Sequence, residues 1–166
     1  GLVAAANQLP QGLVVLDGEL RPLASLDLPG QPSAVYQLPG APRFLVALRD
    51  VARLYSVEQP GLELTWSELP EPFEDFVFVP DSTRLVASSR GGSRLLLYDW
   101  ARHEVSASLA TQGLPHLFSA CFFSRGQRLY AAFNHVGAAR LSVIDMQSFR
   151  VERELALRGS GYFVRT

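Results

Sequence analysis

Apolar residues along this chain recur in short runs of four to seven, and no stretch keeps the three-and-four spacing of an amphipathic helix. The runs are rich in Val, Leu, Phe and Tyr and are bounded by Gly, Pro, Asp and Ser, the pattern of short β-strands. They come in pairs: "SAVYQL" with "RFLVAL", "FEDFVFV" with "RLVASS", and "LFSACFF" with "RLYAAF". The connectors "PGAPR", "PDSTR" and "SRGQR" each carry turn formers and end in Arg, which predicts antiparallel hairpins. A second kind of unit alternates with these pairs. "GLVVLDGELRPLASLDL", "ARLYSVEQPGLELTWSEL", "SRLLLYDWARHEVSASL" and "ARLSVIDMQSFRVEREL" each give a strand, a polar turn and an alternating strand.

Asp17, Ser56, Asp99 and Asp145 hold matching places in these four units. Their spacing of roughly 40 to 45 residues is that of a four-stranded propeller blade. An Asp there has a structural task, because its carboxylate can accept from backbone amides two residues on. The fold expected is all-β: a β-propeller segment of about four blades, each a four-stranded antiparallel sheet, in one partial or half-propeller domain over 1–166. The start, "LVAAA", reads as a strand lacking its predecessor, and "GSGYFVRT" reads as the inner strand of a further blade. Four blades rarely close a ring, so a longer chain, a second chain or a second copy is expected to complete it.

Composition narrows the function classes. Of 166 residues 48% are apolar and 19% charged, as in globular proteins, and a net charge of −1 offers no basic face for nucleic acid. No run is long enough to span a membrane, and the N-terminal residues lack the positive leader of a signal peptide. All fifteen basic residues are Arg, which a coding bias explains and which also suits forked recognition of carboxylates. The single Cys121 rules out an internal disulfide and is expected to be buried and inert.

In a propeller, loops entering the inner strands converge on one rim, where function concentrates. That rule selects Ser33 and Tyr36, Glu74 and Asp75, His116, and Gly161 to Arg165. Connections between second and third strands add Arg49, Arg90, Asn134 and His135. His116 opens the apolar run "LFSACFF", and a histidine there suits acid–base work, metal ligation or merely capping a strand. Only one of Glu74 and Asp75 can face a channel, since neighbours on a strand point to opposite faces. The glycines of "SSRGGSR" allow close backbone approach at Arg90, but no Gly-Lys-Ser/Thr follows to make a phosphate loop. His103 belongs to an outer turn. No Ser-His-Asp signature, His-x-x-x-His or cysteine pair supports a hydrolase or a zinc site.

The combination of "PSAVY", "VALRDV", "SRGG", "LPHL", "VIDMQ" and "GSGYFVR" resembles the heme d1 propeller domain of cytochrome cd1 nitrite reductase and its biosynthetic relatives. Within that group the chain looks most like the NirF-type heme d1 biosynthesis protein. The resemblance implies an eight-bladed propeller that holds heme d1 or dihydro-heme d1 at its rim, with this chain supplying about half the blades. It implies a periplasmic location, and partners that are the tetrapyrrole itself, other heme d1 maturation proteins or nitrite reductase. By the same resemblance His116 faces the ligand centre as catalytic residue or metal ligand. Arg49, Arg90, Arg165, Asn134 and Tyr36 would line the cofactor. The nitrite-reducing members pair two distal histidines. His116 matches one, and the other falls near Glu74–Asp75, where this chain has none. That departure favours the biosynthetic branch, binding or a late dehydrogenase-like step, over nitrite reduction. Gln31–Pro32 stand where the family often has Arg, and a further family histidine would follow Thr166. The alternative of another class is a non-catalytic propeller scaffold for protein–protein interaction.

Overall fold

The computed structural model describes residues 1–165 as strands, turns and one short 3₁₀ turn. Two compact units divide the chain, Gly1–Glu74 and the residues from Asp75 onward. No helix among the described residues is long and apolar enough to cross a membrane.

The first unit carries two antiparallel sheets. One is three-stranded, β1 (Val3–Gln8), β2 (Gln11–Leu16) and β3 (Pro22–Asp27) in sequence order. The other is four-stranded, β4 (Pro32–Gln37), β5 (Arg43–Leu48), β6 (Arg53–Glu58) and β7 (Leu64–Glu68), again in sequence order. Middle strands bury alternate or successive apolar residues, whereas β3 and β7 are largely exposed. Leu13, Val15, Val46, Leu48, Tyr55 and Val57 make the core, each under 4% exposed.

The second sheet system begins with β8 (Phe73–Phe78), which enters from the first unit. It continues with β9 (Arg84–Ser89), β10 (Arg94–Asp99) and β11 (Glu104–Ala110), paired in that order. The last sheet comprises β12 (Leu114–Pro115), β13 (Cys121–Arg125), β14 (Arg128–Val136), β15 (Ala138–Asp145) and β16 (Arg150–Ala156). Its outermost strand, β16, is exposed along its whole length. Val86, Leu95, Leu97, Phe133 and Ile144 lie in one core cluster with Leu117 and Phe149.

All three strand pairs expected from the sequence are present, as β4–β5, β8–β9 and β13–β14. Three of the four anchors behave as their chemistry requires. Asp17 Oδ1 accepts from the amides of Glu19 and Arg21 at 2.9 Å. Asp99 Oδ1 accepts from Ala101 and Arg102, and Asp145 Oδ1 from Gln147 and Ser148. Ser56 departs from the pattern. It lies inside β6, opposite Leu45 and Thr65, and Glu58 ends that strand. Glu58, two residues on, holds at the end of β6 the place that Asp99 and Asp145 hold at the ends of β10 and β15, and it pairs with Arg43 across β5–β6.

Candidate functional site

His116 does not open a strand directly. β12 and β13 pair with the same edge of β14, Pro115 opposite His135 and Cys121 opposite Ala132. Between those pairs, residues 116–120 on one side face only 133–134 on the other. Five residues cannot lie flat against two, so the surplus leaves the sheet as a bulge. Leu117–Ser119 close it as a 3₁₀ turn, with the Ala120 amide donating to the Leu117 carbonyl at 2.9 Å. Leu117 and Ser119 point inward and are buried, while Phe118 points out. His116 is thereby lifted out of the sheet, and its amide alone holds register, donating to the Asn134 carbonyl at 2.9 Å.

The ring of His116 is held on one side. Nδ1 lies 2.9 Å from the main-chain carbonyl oxygen of Tyr162 and 3.1 Å from Ser119 Oγ. Tyr162 presents its ring edge-on at 5.9 Å between centroids, and Phe118 lies tilted at 6.3 Å. Phe118 and Tyr162 are 64% and 57% exposed, so two large rings stand in water beside one half-buried imidazole, and Phe163, the residue after Tyr162, is 68% exposed. Segment 161–165 forms no strand. Among the described bonds it is tied to the bulge by the Val164 amide, which donates to the Ser119 carbonyl at 3.3 Å.

Asn134 is 1% exposed and lies beneath Gly161. A Cβ on Gly161 would stand 2.9 Å from the Asn134 carboxamide carbon, so glycine is what permits this approach. The buried Asn134 Nδ2 has no hydrogen-bond partner. Arg165 is exposed, donates from Nη1 to the Val164 carbonyl at 3.0 Å and lies 6.0 Å from the Phe163 ring centre. Cys121 is half-buried and not fully enclosed, because it starts β13 at the mouth of the bulge. Desolvation raises its thiol pKa, and the nearby Arg165 charge opposes that rise.

Arg90 sits on the β9–β10 turn, where Gly92 at φ +77° donates its amide to the Ser89 carbonyl at 2.8 Å. In the first unit, Arg49 Nη2 pairs with Glu74 at 3.0 Å, and its Nε is buried without a partner. The carboxylate that Arg49 meets is therefore the chain's own. Asp75 turns back on its strand, accepting from the Phe76 amide at 2.8 Å. Ser33 Oγ donates to the Phe73 carbonyl at 2.7 Å, and Tyr36 is a half-buried residue of β4.

His135, grouped with the rim by sequence position, is 1% exposed and lies on β14 opposite Pro115. Its Nε2 lies 2.8 Å from Ser142 Oγ, in a cleft of about 260 Å³ that Arg140 and Glu154 also line. Burial lowers the His135 pKa, and the Gln112 backbone acts the other way. Among the described residues, no group of three His, Cys, Asp or Glu could close around a metal ion. Any metal here would need its own equatorial ligands, as a tetrapyrrole provides. The structure brings the sequence-selected His116 and 161–165 segment together and adds Phe118 and Ser119, which the sequence did not single out. A serine three residues after the histidine, in a run too short of turn formers, was the signal for the latter.

Sheets of this size, order and burial are blades, and comparison with solved structures agrees. The chain superposes on NirN, a dihydro-heme d1 dehydrogenase solved with DHE, with a TM-score of 0.92 at 29% identity, over 99% of this chain and 37% of that one. It also matches hydrazine synthase of Kuenenia stuttgartiensis at TM-score 0.73 and 16% identity, over 93% of this chain and 45% of that one, a likeness of fold alone. The protein is thus a partial β-propeller. In sequence it is 33% identical to the dihydro-heme d1 dehydrogenase of Pseudomonas aeruginosa over 99% of its length, and it is homologous to that heme d1 propeller protein. The chain spans about a third of that relative, 35%. No family model matches it.

Proposed function

We propose that this chain forms part of a periplasmic propeller that binds heme d1 or dihydro-heme d1 during late heme d1 maturation. The observation that carries the reading is the His116 bulge, where an imidazole stands between the exposed rings of Phe118 and Tyr162. Exposed aromatic faces suit a flat conjugated macrocycle, and imidazole is a standard axial ligand for its iron. The exposed Arg165 is the cation offered to its carboxylates. The dehydrogenase homologue supports the ligand class.

A dihydro form differs from its product by two electrons and two protons. A dehydrogenase-like step on this chain would therefore need an electron acceptor from elsewhere, such as a c-type heme or another maturation protein. The chain's own part is to bind, orient and offer a proton acceptor at His116. Nitrite reduction fits less well, because Glu74 and Asp75, where the second histidine would stand, are committed to Arg49 and to the Phe76 amide.

Titration of the protein with dihydro-heme d1 and with heme d1, followed in the visible spectrum, tests the reading. The native protein is expected to shift the bands, and His116→Ala to abolish the shift or weaken binding at least tenfold. Absence of any shift in the native protein would favour the scaffold alternative. Fractionation of cells expressing the full protein checks the periplasmic address.

A further inference from the structure

We infer that Ser119 and the main-chain carbonyl of Tyr162 fix His116 as the Nδ1–H tautomer, so that Nε2 carries the lone pair the site presents. The inference deepens the heme d1 reading, since it names the atom of His116 that would ligate iron or accept a proton. A carbonyl oxygen only accepts hydrogen bonds, so Nδ1 at 2.9 Å from the Tyr162 oxygen must donate. Ser119 Oγ, buried and 3.1 Å from the same nitrogen, has its own proton directed at the His116 carbonyl 3.4 Å away. Its lone pairs are thus left facing Nδ1. In the neutral ring the second nitrogen is then the acceptor, and no described bond occupies it.

The local fold supplies both acceptors. Ser119 closes the 3₁₀ turn that the surplus of residues 116–120 forces, and its carbonyl also receives the Val164 amide. Tyr162 is placed by the same segment, whose Gly161 lies over the buried Asn134. The tautomer therefore depends on two contacts at once, the bulge and the 161–165 segment. Ser119 is a positioning residue; it acts on the ligand only through His116. A hydrogen-bonded second nitrogen fixes the tautomer and ring orientation of a ligating histidine, as outer partners do at metal sites generally.

Nitrogen-15 NMR of the ligand-free protein tests this without any ligand or activity. Two-bond couplings from the ring protons report which nitrogen of His116 carries hydrogen. The native protein is expected to show the Nδ1–H form, and Ser119→Ala to move the ratio towards Nε2–H about fivefold, the worth of one hydrogen bond. Tyr162→Phe keeps the main-chain carbonyl and is expected to leave the ratio unchanged. A native His116 protonated on Nε2, or a ratio indifferent to Ser119→Ala, overturns the inference. Absence of a spectral shift with either tetrapyrrole would overturn the heme d1 reading instead, leaving the tautomer as measured.

Discussion

At the scale of single residues, the site depends on atoms that a list of charged and catalytic types does not include. His116 was legible because a histidine before an apolar run is unusual, yet its environment is set by Ser119, Gly161 and a main-chain oxygen. Gly161 makes the sharpest case. Gly161→Ala would push a methyl to within 2.9 Å of the carboxamide of the buried Asn134, which would have to shift. Overpacking of this kind typically costs about 1–3 kcal/mol. The expected result is a lower urea midpoint, together with weaker tetrapyrrole binding as residues 162–165 shift off His116. Unchanged binding would mean the segment does not position the histidine.

His135 makes a different residue-scale prediction, because its environment holds it neutral. Burial lowers its folded pKa below the ordinary 6.5, so the unfolded chain binds the proton more readily. The stability that follows is present above pH 6.5 and is lost as pH falls towards the lowered folded value. The groups facing this ring include Arg140 and Glu154, whose charges act in opposite senses. Denaturation midpoints are expected to drop between pH 7 and pH 5 in the native protein. His135→Gln should remove most of that slope, and a slope unchanged by the substitution would contradict the assignment.

At the scale of elements, the strand pairs and turn anchors were readable because they rest on local rules. Alternation and Gly/Pro punctuation set β4–β5, β8–β9 and β13–β14, and a carboxylate at a strand end caps its own turn. The rule failed at Ser56 because the strand runs two residues further than the alignment placed it, so that Glu58 and not Ser56 ends β6 where Asp99 and Asp145 end theirs. It failed again at "LFSACFF", where strand propensity is strong but the mismatch against β14 forces Leu117–Ser119 into a turn. Register across a sheet is a non-local quantity, and no periodicity within one strand reports it. The anchors carry a testable consequence. The amide of Ser148 holds the Asp145 pKa below its ordinary 3.8, so the stabilisation is intact above that value and is lost as pH falls through the lowered one. Asp145→Asn is expected to reduce stability at neutral pH and to flatten the acid limb below pH 4. An acid limb identical to the native one would show that the turn carboxylate does not contribute.

At the scale of the whole molecule, the fifteen arginines looked like an offer to a polyanionic ligand, and the structure divides them. Arg53–Glu68, Arg125–Glu152 and Arg140–Glu154 are exposed cross-strand pairs at 2.8–3.0 Å, Arg43–Glu58 is another, and Arg21 closes on Asp17. Such pairs are worth about 0.2–1 kcal/mol each and are screened by salt. Those between neighbouring strands, such as Arg53–Glu68 and Arg140–Glu154, pin register more than they stabilise the fold, whose cohesion lies in the two apolar cores, while Arg125–Glu152 reaches from β13 to β16. Ligand binding through Arg165 would instead bring separate charges together as the complex forms, and should feel the same screening directly. Raising the salt from about 0.1 M to about 1 M shortens the screening length from about 10 Å to about 3 Å. The denaturation midpoint is expected to move little over that range. Affinity for a carboxylated tetrapyrrole should fall severalfold over the same range, and a methyl-ester form should lose that dependence. Equal salt sensitivity of the acid and its ester would place the ligand's carboxylates away from the arginines and leave its binding to His116 and the exposed rings.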